Sequence, residues 1–263
     1  MDPAQYKTLT TKRGFVYNYY SSPSKQGKHT LLFLHGYPST SATWAAYVAY
    51  FEARGYGTIV PDLLGFGGTD KPIDAKLFIS SGIVSDVVDI LDAEKAHKVI
   101  TIGHDCFISI FYPLDPKSWL TTLTDVGALQ KSLEENFRTA LPPYVTEEYI
   151  ENWKKTYLEK NGLASPNNWY TVLVSGLEAV DESNTKIPQD QEFPPKSAPI
   201  FFAAAEKDYI CVPKIAYETW ALPQFKDHKI TQKSYDADHW VILSKTKELC
   251  NDLEEWLKQF TAV

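Results

Sequence analysis

Three short segments carry side chains that can act together on one carbon centre. Gly103-His104-Asp105-Cys106-Phe107 presents an acid, Glu206-Lys207-Asp208-Tyr209 presents a second, and Asp236-Ala237-Asp238-His239-Trp240 presents a histidine. An aspartate is already ionised near neutral pH, so Asp105 can attack an sp³ carbon directly, whereas a serine would first need a base. The product of that attack is an ester of the protein. Releasing it takes a base that activates water, which suits His239 with its ring oriented by Asp208, and N–H donors for the developing oxyanion. Glu206, Asp236 and Asp238 stand near enough in sequence to compete for the place of the orienting acid. No Gly-x-Ser-x-Gly occurs anywhere in the chain, which disfavours a serine nucleophile.

Each segment follows a predicted strand. Thr30–His35 is a short continuous apolar run, the mark of a strand covered on both faces, and it ends in the turn Gly36-Tyr37-Pro38. A helix is expected over 41–53, a strand over Thr58–Val60, an amphipathic helix over Gly82–Leu91 and a buried strand over Lys98–Ile102, just before Gly103. Strands at Pro199–Ala204 and Lys229–Tyr235 precede Asp208 and His239, and a helix over Lys245–Phe260 closes the chain. Tyr6–Thr10 and Phe15–Tyr20 read as an opening hairpin. This alternation predicts a mostly parallel sheet with right-handed crossovers, in which ligands bind beyond the carboxyl ends of the strands. All three segments fall at such ends.

Between the sheet segments the pattern changes. Pro113, Pro116, Pro142 and Pro143 interrupt the chain, and helices are expected near Leu129–Arg138, Glu147–Lys160 and Pro166–Ala179, the last with Ser165 as its N-cap. The insert, about 113–182, reads as a helical lid on one domain spanning 1–263. Asp181–Pro199 reads as a long surface connection.

Composition narrows the partners. With 44% apolar residues, 14% aromatic residues and a net charge of −7, the chain suits a packed globule and neither a nucleic-acid nor an anionic-membrane surface. No signal-peptide pattern or membrane-length apolar run is present, so a cytoplasmic location is expected. Cys106, Cys211 and Cys250 are too few and scattered for a disulfide framework and lack zinc-site spacing, so they read as reduced thiols, with no metal and no cofactor expected. Gly65-Phe66-Gly67-Gly68 lacks the full spacing of a phosphate loop and reads as a tight turn.

The strings LLFLHGYPSTSATW, VPDLLGFGGTDKP, ITIGHD, AAAEKDYICVP and DADHW, taken in order, resemble the soluble epoxide hydrolases of fungi and bacteria over most of the chain. The order nucleophile, acid, histidine is also that of the α/β-hydrolases. The resemblance implies an α/β-hydrolase fold, with a mostly parallel central sheet, helices on both faces and a shortened helical lid. It implies that Asp105 opens an epoxide, with the Tyr37 and Cys106 amides as the oxyanion hole. A lid tyrosine protonates the epoxide oxygen in that family, and Asn168-Trp169-Tyr170 nominates Tyr170. The partners are then a small epoxide and water.

The departures carry expectations of their own. Phe107 stands two residues after Asp105, where the resembled family usually has glycine. Only eight residues run from Cys106 through Pro113, where an elbow helix, a further strand and the first part of a lid are expected. An internal deletion there leaves either a sheet one strand short or a strand from near Trp119 to Asp125 in the vacancy. Two other readings compete. A dehalogenase shares the aspartate nucleophile, but Tyr37 and Cys106 occupy the places where such enzymes usually have a halide cradle. A shortened, catalytically silent chain is the third.

Overall fold

The computed structural model describes residues 1–104, 131, 140–185, 193–209 and 211–260. Asp105, Cys106, Phe107, the segment Trp119–Asp125 and the helix expected at Leu129–Arg138, apart from Lys131, lie outside the described residues. The chain divides into two compact units, one of Met1–Cys106, Glu151–Gln189 and Gln259–Val263, the other of Phe107–Ile150 and Asp190–Lys258.

In the first unit, β1 (Tyr6–Thr10) and β2 (Val16–Ser22) form the hairpin. β3 (Thr30–Leu34) leads through a single 3-10 turn into α1 (Ala45–Glu52), followed by β4 (Gly57–Pro61), α2 (Ser80–Ala93) and β5 (Val99–Gly103). The sheet order is β1-β2-β4-β3-β5, with β3 parallel to both β4 and β5 and β2 antiparallel to β4. β4 is buried at every position, as its apolar run requires. Phe33, Trp44, Tyr47 and Phe51 are fully buried together, each contributing on the order of 1.5–3 kcal/mol by leaving water. α2 buries Ile83, Val87 and Ile90. It also buries Asp86, whose carboxylate accepts from Arg13 at 2.7 Å and from the Tyr17 hydroxyl at 3.0 Å.

The expectation for β5 fails in one respect. The strand pairs in register with β3, Leu34 opposite Gly103, but Thr101 and Gly103 are exposed and no described strand covers its other edge. No described residue would meet a Cβ placed on Gly103 within 4 Å.

The same unit includes α3 (Glu147–Tyr157) from Glu151 onward, α4 (Asn168–Ser175) and α5 (Leu177–Thr185). The helix expected over Pro166–Ala179 is broken by Gly176, whose φ of +77° lies in the left-handed region that ends helices. Ser165 is not its N-cap. The helix starts at Asn168, and the Ser165 hydroxyl donates to the Pro72 carbonyl at 2.6 Å, tying the chain to the loop after β4.

The second unit contains β6 (Ile200–Ala205), α6 (Pro213–Trp220), β7 (Ile230–Tyr235), α7 (Val241–Ser244) and α8 (Thr246–Leu257). β6 and β7 run parallel, from Ile200 opposite Ile230 to Ala205 opposite Tyr235. α8 buries Leu249, Leu253 and Trp256 at helical spacing, and Phe201 packs its ring 5.7 Å from that of Trp256. Among the described residues no helix is long and apolar enough to cross a membrane.

Candidate active site

The register of β6 and β7 brings the two following loops side by side. Glu206 N–H donates to the Tyr235 carbonyl and Lys207 N–H to the Ala237 carbonyl, at 3.0 and 2.9 Å, so the pairing continues past the strands. Asp208 then turns inward, its N–H bonded to the Ala205 carbonyl. Its Oδ2 lies 2.8 Å from Nδ1 of His239, and its Oδ1 accepts from the Cys211 N–H at 2.8 Å. Both side chains are buried, Asp208 at 7% and His239 at 3% exposure. A carboxylate at Nδ1 holds the proton there and leaves Nε2 as the basic nitrogen.

The competing acids are engaged elsewhere. Glu206 accepts from the Tyr217 hydroxyl at 3.0 Å. Asp236 is exposed and pairs with Lys207 at 2.6 Å, whose hydrogen bond holds its carboxyl below the usual range. Asp238 accepts from the Tyr144 hydroxyl at 3.0 Å and from the Trp240 N–H at 2.9 Å. Burial pushes the Asp238 carboxyl up, and it pushes the Tyr144 hydroxyl up as well, with the Asp238 charge adding to it. Trp240 stands edge-on to the His239 ring, at 5.4 Å and 89°.

In the first unit the loop after β3 is held by a set of hydrogen bonds. His35, 3% exposed, lies 2.9 Å through Nδ1 from the Gly36 carbonyl and accepts the Leu63 N–H on Nε2 at 3.0 Å, which defines a neutral Nδ1–H ring. The Ser39 N–H and hydroxyl both donate to the Gly36 carbonyl, and the Tyr157 hydroxyl donates to the Ser39 carbonyl at 3.1 Å. Tyr37 is half-buried in an aromatic cluster, with ring centroids 5.2 Å from Tyr170 and 6.1 Å from both Phe66 and Tyr157. Burial raises its hydroxyl pKa. Tyr170 thus meets Tyr37 directly, while its neighbour Trp169 donates to the Leu64 carbonyl at 3.0 Å.

Asp62, a residue without a role in the sequence reading, organises this loop. Its Oδ1 accepts the Ser41 N–H at 2.8 Å, and its Oδ2 accepts from Asn18 at 2.8 Å and from the Gly68 N–H at 3.0 Å. The turn Gly65–Gly68 closes against it, and Gly67, at φ +50°, sits where a Cβ would collide with the Asp62 carboxylate. The strand-ending Pro61-Asp62 followed by glycines was the available signal. Tyr144 and Tyr157 gave none, since their partners are distant in sequence. Asp105 and Cys106 lie outside the described residues.

The chain has the α/β-hydrolase fold. Residues 29–106 match the family described as alpha/beta hydrolase fold. The crystal structure of an epoxide hydrolase from Vigna radiata superimposes with a TM-score of 0.72, covering 99% of this chain and 100% of that one at 17% identity. In sequence the chain is similar to an epoxide hydrolase of Caballeronia sordidicola, 37% identical over 75 residues, which are 28% of this chain and 23% of that protein. It is also similar to epoxide hydrolase 2 of Siraitia grosvenorii, 39% identical over 75 residues, 28% of this chain and 24% of that protein. The matched stretch spans about a quarter of the length of these relatives.

Proposed function

We propose that the chain is a hydrolase that opens a small epoxide to a diol through an ester on Asp105. The observation that carries this reading is the buried Asp208–His239 pair at 2.8 Å on loops that follow parallel strands. It supports a water-activating base in a chain whose sequence supplies a carboxylate nucleophile. The similarity to proteins named epoxide hydrolases supports the choice of substrate.

In this mechanism an Asp105 oxygen forms a bond to one epoxide carbon as the C–O bond to the ring oxygen breaks. The ring oxygen takes its proton from the Tyr170 hydroxyl. His239 Nε2 then takes a proton from water as that water attacks the ester carbonyl, and the backbone N–H groups of Tyr37 and Cys106 bind the oxyanion. Collapse expels the diol oxygen, Asp105 is regenerated carrying one oxygen from water, and the remaining proton returns to Tyr170. The Tyr37–Tyr170 ring contact supports a common location for the proton donor and the oxyanion loop. The reading treats residues 1–263 as one catalytic domain with a lid at about 113–182.

Intact-mass analysis with a simple aryl epoxide tests the roles. Asp105→Asn forms no adduct, and His239→Gln forms an adduct of one substrate mass that persists. Equal labelling of the two variants overturns the assignment. A second reading, a catalytically impaired chain, is favoured by the exposure of Thr101 and Gly103 on β5. Absence of both diol and adduct with the unmutated chain would select it.

A further inference from the structure

The acid–histidine pair has a third neighbour that hydrolysis does not need. Asp208, Cys211 and His239 each offer one ligand atom, and the three atoms lie within 4.8 Å of one another. We propose that these residues form a zinc-binding site that takes His239 out of use as a base.

The donor set points to the ion. A thiolate, an imidazole and a carboxylate together suit Zn²⁺, whereas Mg²⁺ and Ca²⁺ favour oxygen ligands alone. Zinc bonds of about 2.0–2.3 Å place tetrahedral donors on the order of 3.3–3.7 Å apart. The Asp208–His239 contact of 2.8 Å lies just below that range, and no pair of the three atoms is more than 4.8 Å apart. The site is also largely preformed. Pairing of β6 with β7 sets the two loops, and the Cys211 N–H holds Asp208 through Oδ1, a bond that persists while Oδ2 binds metal. Cys211 is exposed, which gives the ion an entry path and a solvent ligand in the fourth position.

This is not a surface carboxylate cluster, because Asp208 and His239 are both more than nine-tenths buried. Their spacing along the chain hid the site. Asp208 and Cys211 are three residues apart, but His239 arrives from the next strand, so no contiguous cysteine–histidine motif exists.

Binding displaces the thiol proton of Cys211 and the proton on His239 Nδ1, releasing both to solvent. With zinc on Nδ1, a neutral His239 carries its proton on Nε2 and has no lone pair for water. The consequence for turnover rests on the hydrolase reading; the binding does not.

Competition between the full chain and a chromogenic zinc chelator tests the binding, with Cys211→Ser and Cys250→Ser as variants. The expected result is one zinc per chain for the unmutated protein and for Cys250→Ser. For Cys211→Ser the affinity falls at least about 100-fold, the upper end of what losing even an outer-shell partner costs. Zinc also shields Cys211 from iodoacetamide, read by peptide mass. Equal zinc affinity of the unmutated and Cys211→Ser chains overturns the site. Zinc bound through Cys211 by a chain that forms no diol sustains the site and defeats the hydrolase reading. Diol formation unaffected by saturating zinc overturns the proposed effect on His239.

Discussion

Asp208→Asn separates the orientation of His239 from every other property of the site. Among its contacts, the carboxylate accepts the Cys211 N–H on Oδ1 and the His239 Nδ1–H on Oδ2, each at 2.8 Å. An asparagine of the same shape has one oxygen. The backbone N–H of Cys211 cannot reorient, so the amide oxygen stays with it and the NH₂ group faces Nδ1. His239 must then accept at Nδ1 and carry its proton on Nε2, the tautomer that cannot take a proton from water. A comparable tautomer reversal in a serine protease triad lowers kcat about 10⁴-fold, which at 1.36 kcal/mol per tenfold is about 5.4 kcal/mol. In the proposed mechanism the loss falls on hydrolysis of the ester, because attack by Asp105 does not use the histidine. Rapid-quench mixing with an aryl epoxide, read by intact mass, should therefore show ester forming at the unmutated rate and persisting. A variant with kcat within tenfold of the unmutated chain and no accumulated ester would refute the reasoning.

Two further outcomes test the scaffold. Gly67→Ala forces a Cβ onto the Asp62 carboxylate from a left-handed backbone, so urea denaturation should show a loss of about 2 kcal/mol or more, and an unchanged midpoint would be inconsistent with the packing. Burial alone would raise the Glu94 carboxyl, but hydrogen bonds from Lys7, Tyr19 and Ser21 more than offset it and hold it below its ordinary value. Its stabilisation is present above the unfolded pKa and lost as pH falls through the lower folded one. The urea midpoints of the unmutated chain and Glu94→Gln should differ at pH 7 and converge below about pH 4, where carboxylates protonate.

The strands and the acid–histidine pair were legible because they rest on local signals. Apolar runs ending in Gly36, Asp62 and Gly103 mark strands that terminate at a sheet edge, and β3, β4 and β5 occur where those runs lie. Asp208 was the nominated acid, but nothing local excluded Glu206, Asp236 and Asp238. Those acids lie within a few residues of one another, and only the register of β6 with β7 decides which one faces the imidazole. The same register hides the proximity of Cys211 to His239. The break at Gly176 and the use of Ser165 as a tether to Pro72 are tertiary choices that override helix propensity. Asp62 was missed because strand-end aspartates are common, and its role depends on three donors from separate segments.

The supports of the two proposed chemical steps are unequal. The water-activating pair rests on two parallel strands in full register, with both side chains buried. The proposed attacking residue follows β5, a strand on which Thr101 and Gly103 are exposed. A reactive geometry needs its supporting shell fixed to a fraction of an ångström, and misplacement by about 1 Å costs on the order of 100-fold in rate. The cost therefore falls on ester formation. In the unmutated chain this first step should limit turnover, so that rapid mixing with excess aryl epoxide gives linear diol formation from the first turnover and no ester in the steady state. Ester hydrolysis by the intact His239–Asp208 pair is then faster than its formation. An initial burst, with ester approaching one equivalent before the steady state, would show that β5 holds Asp105 well enough for fast attack, and the argument from strand exposure would fall.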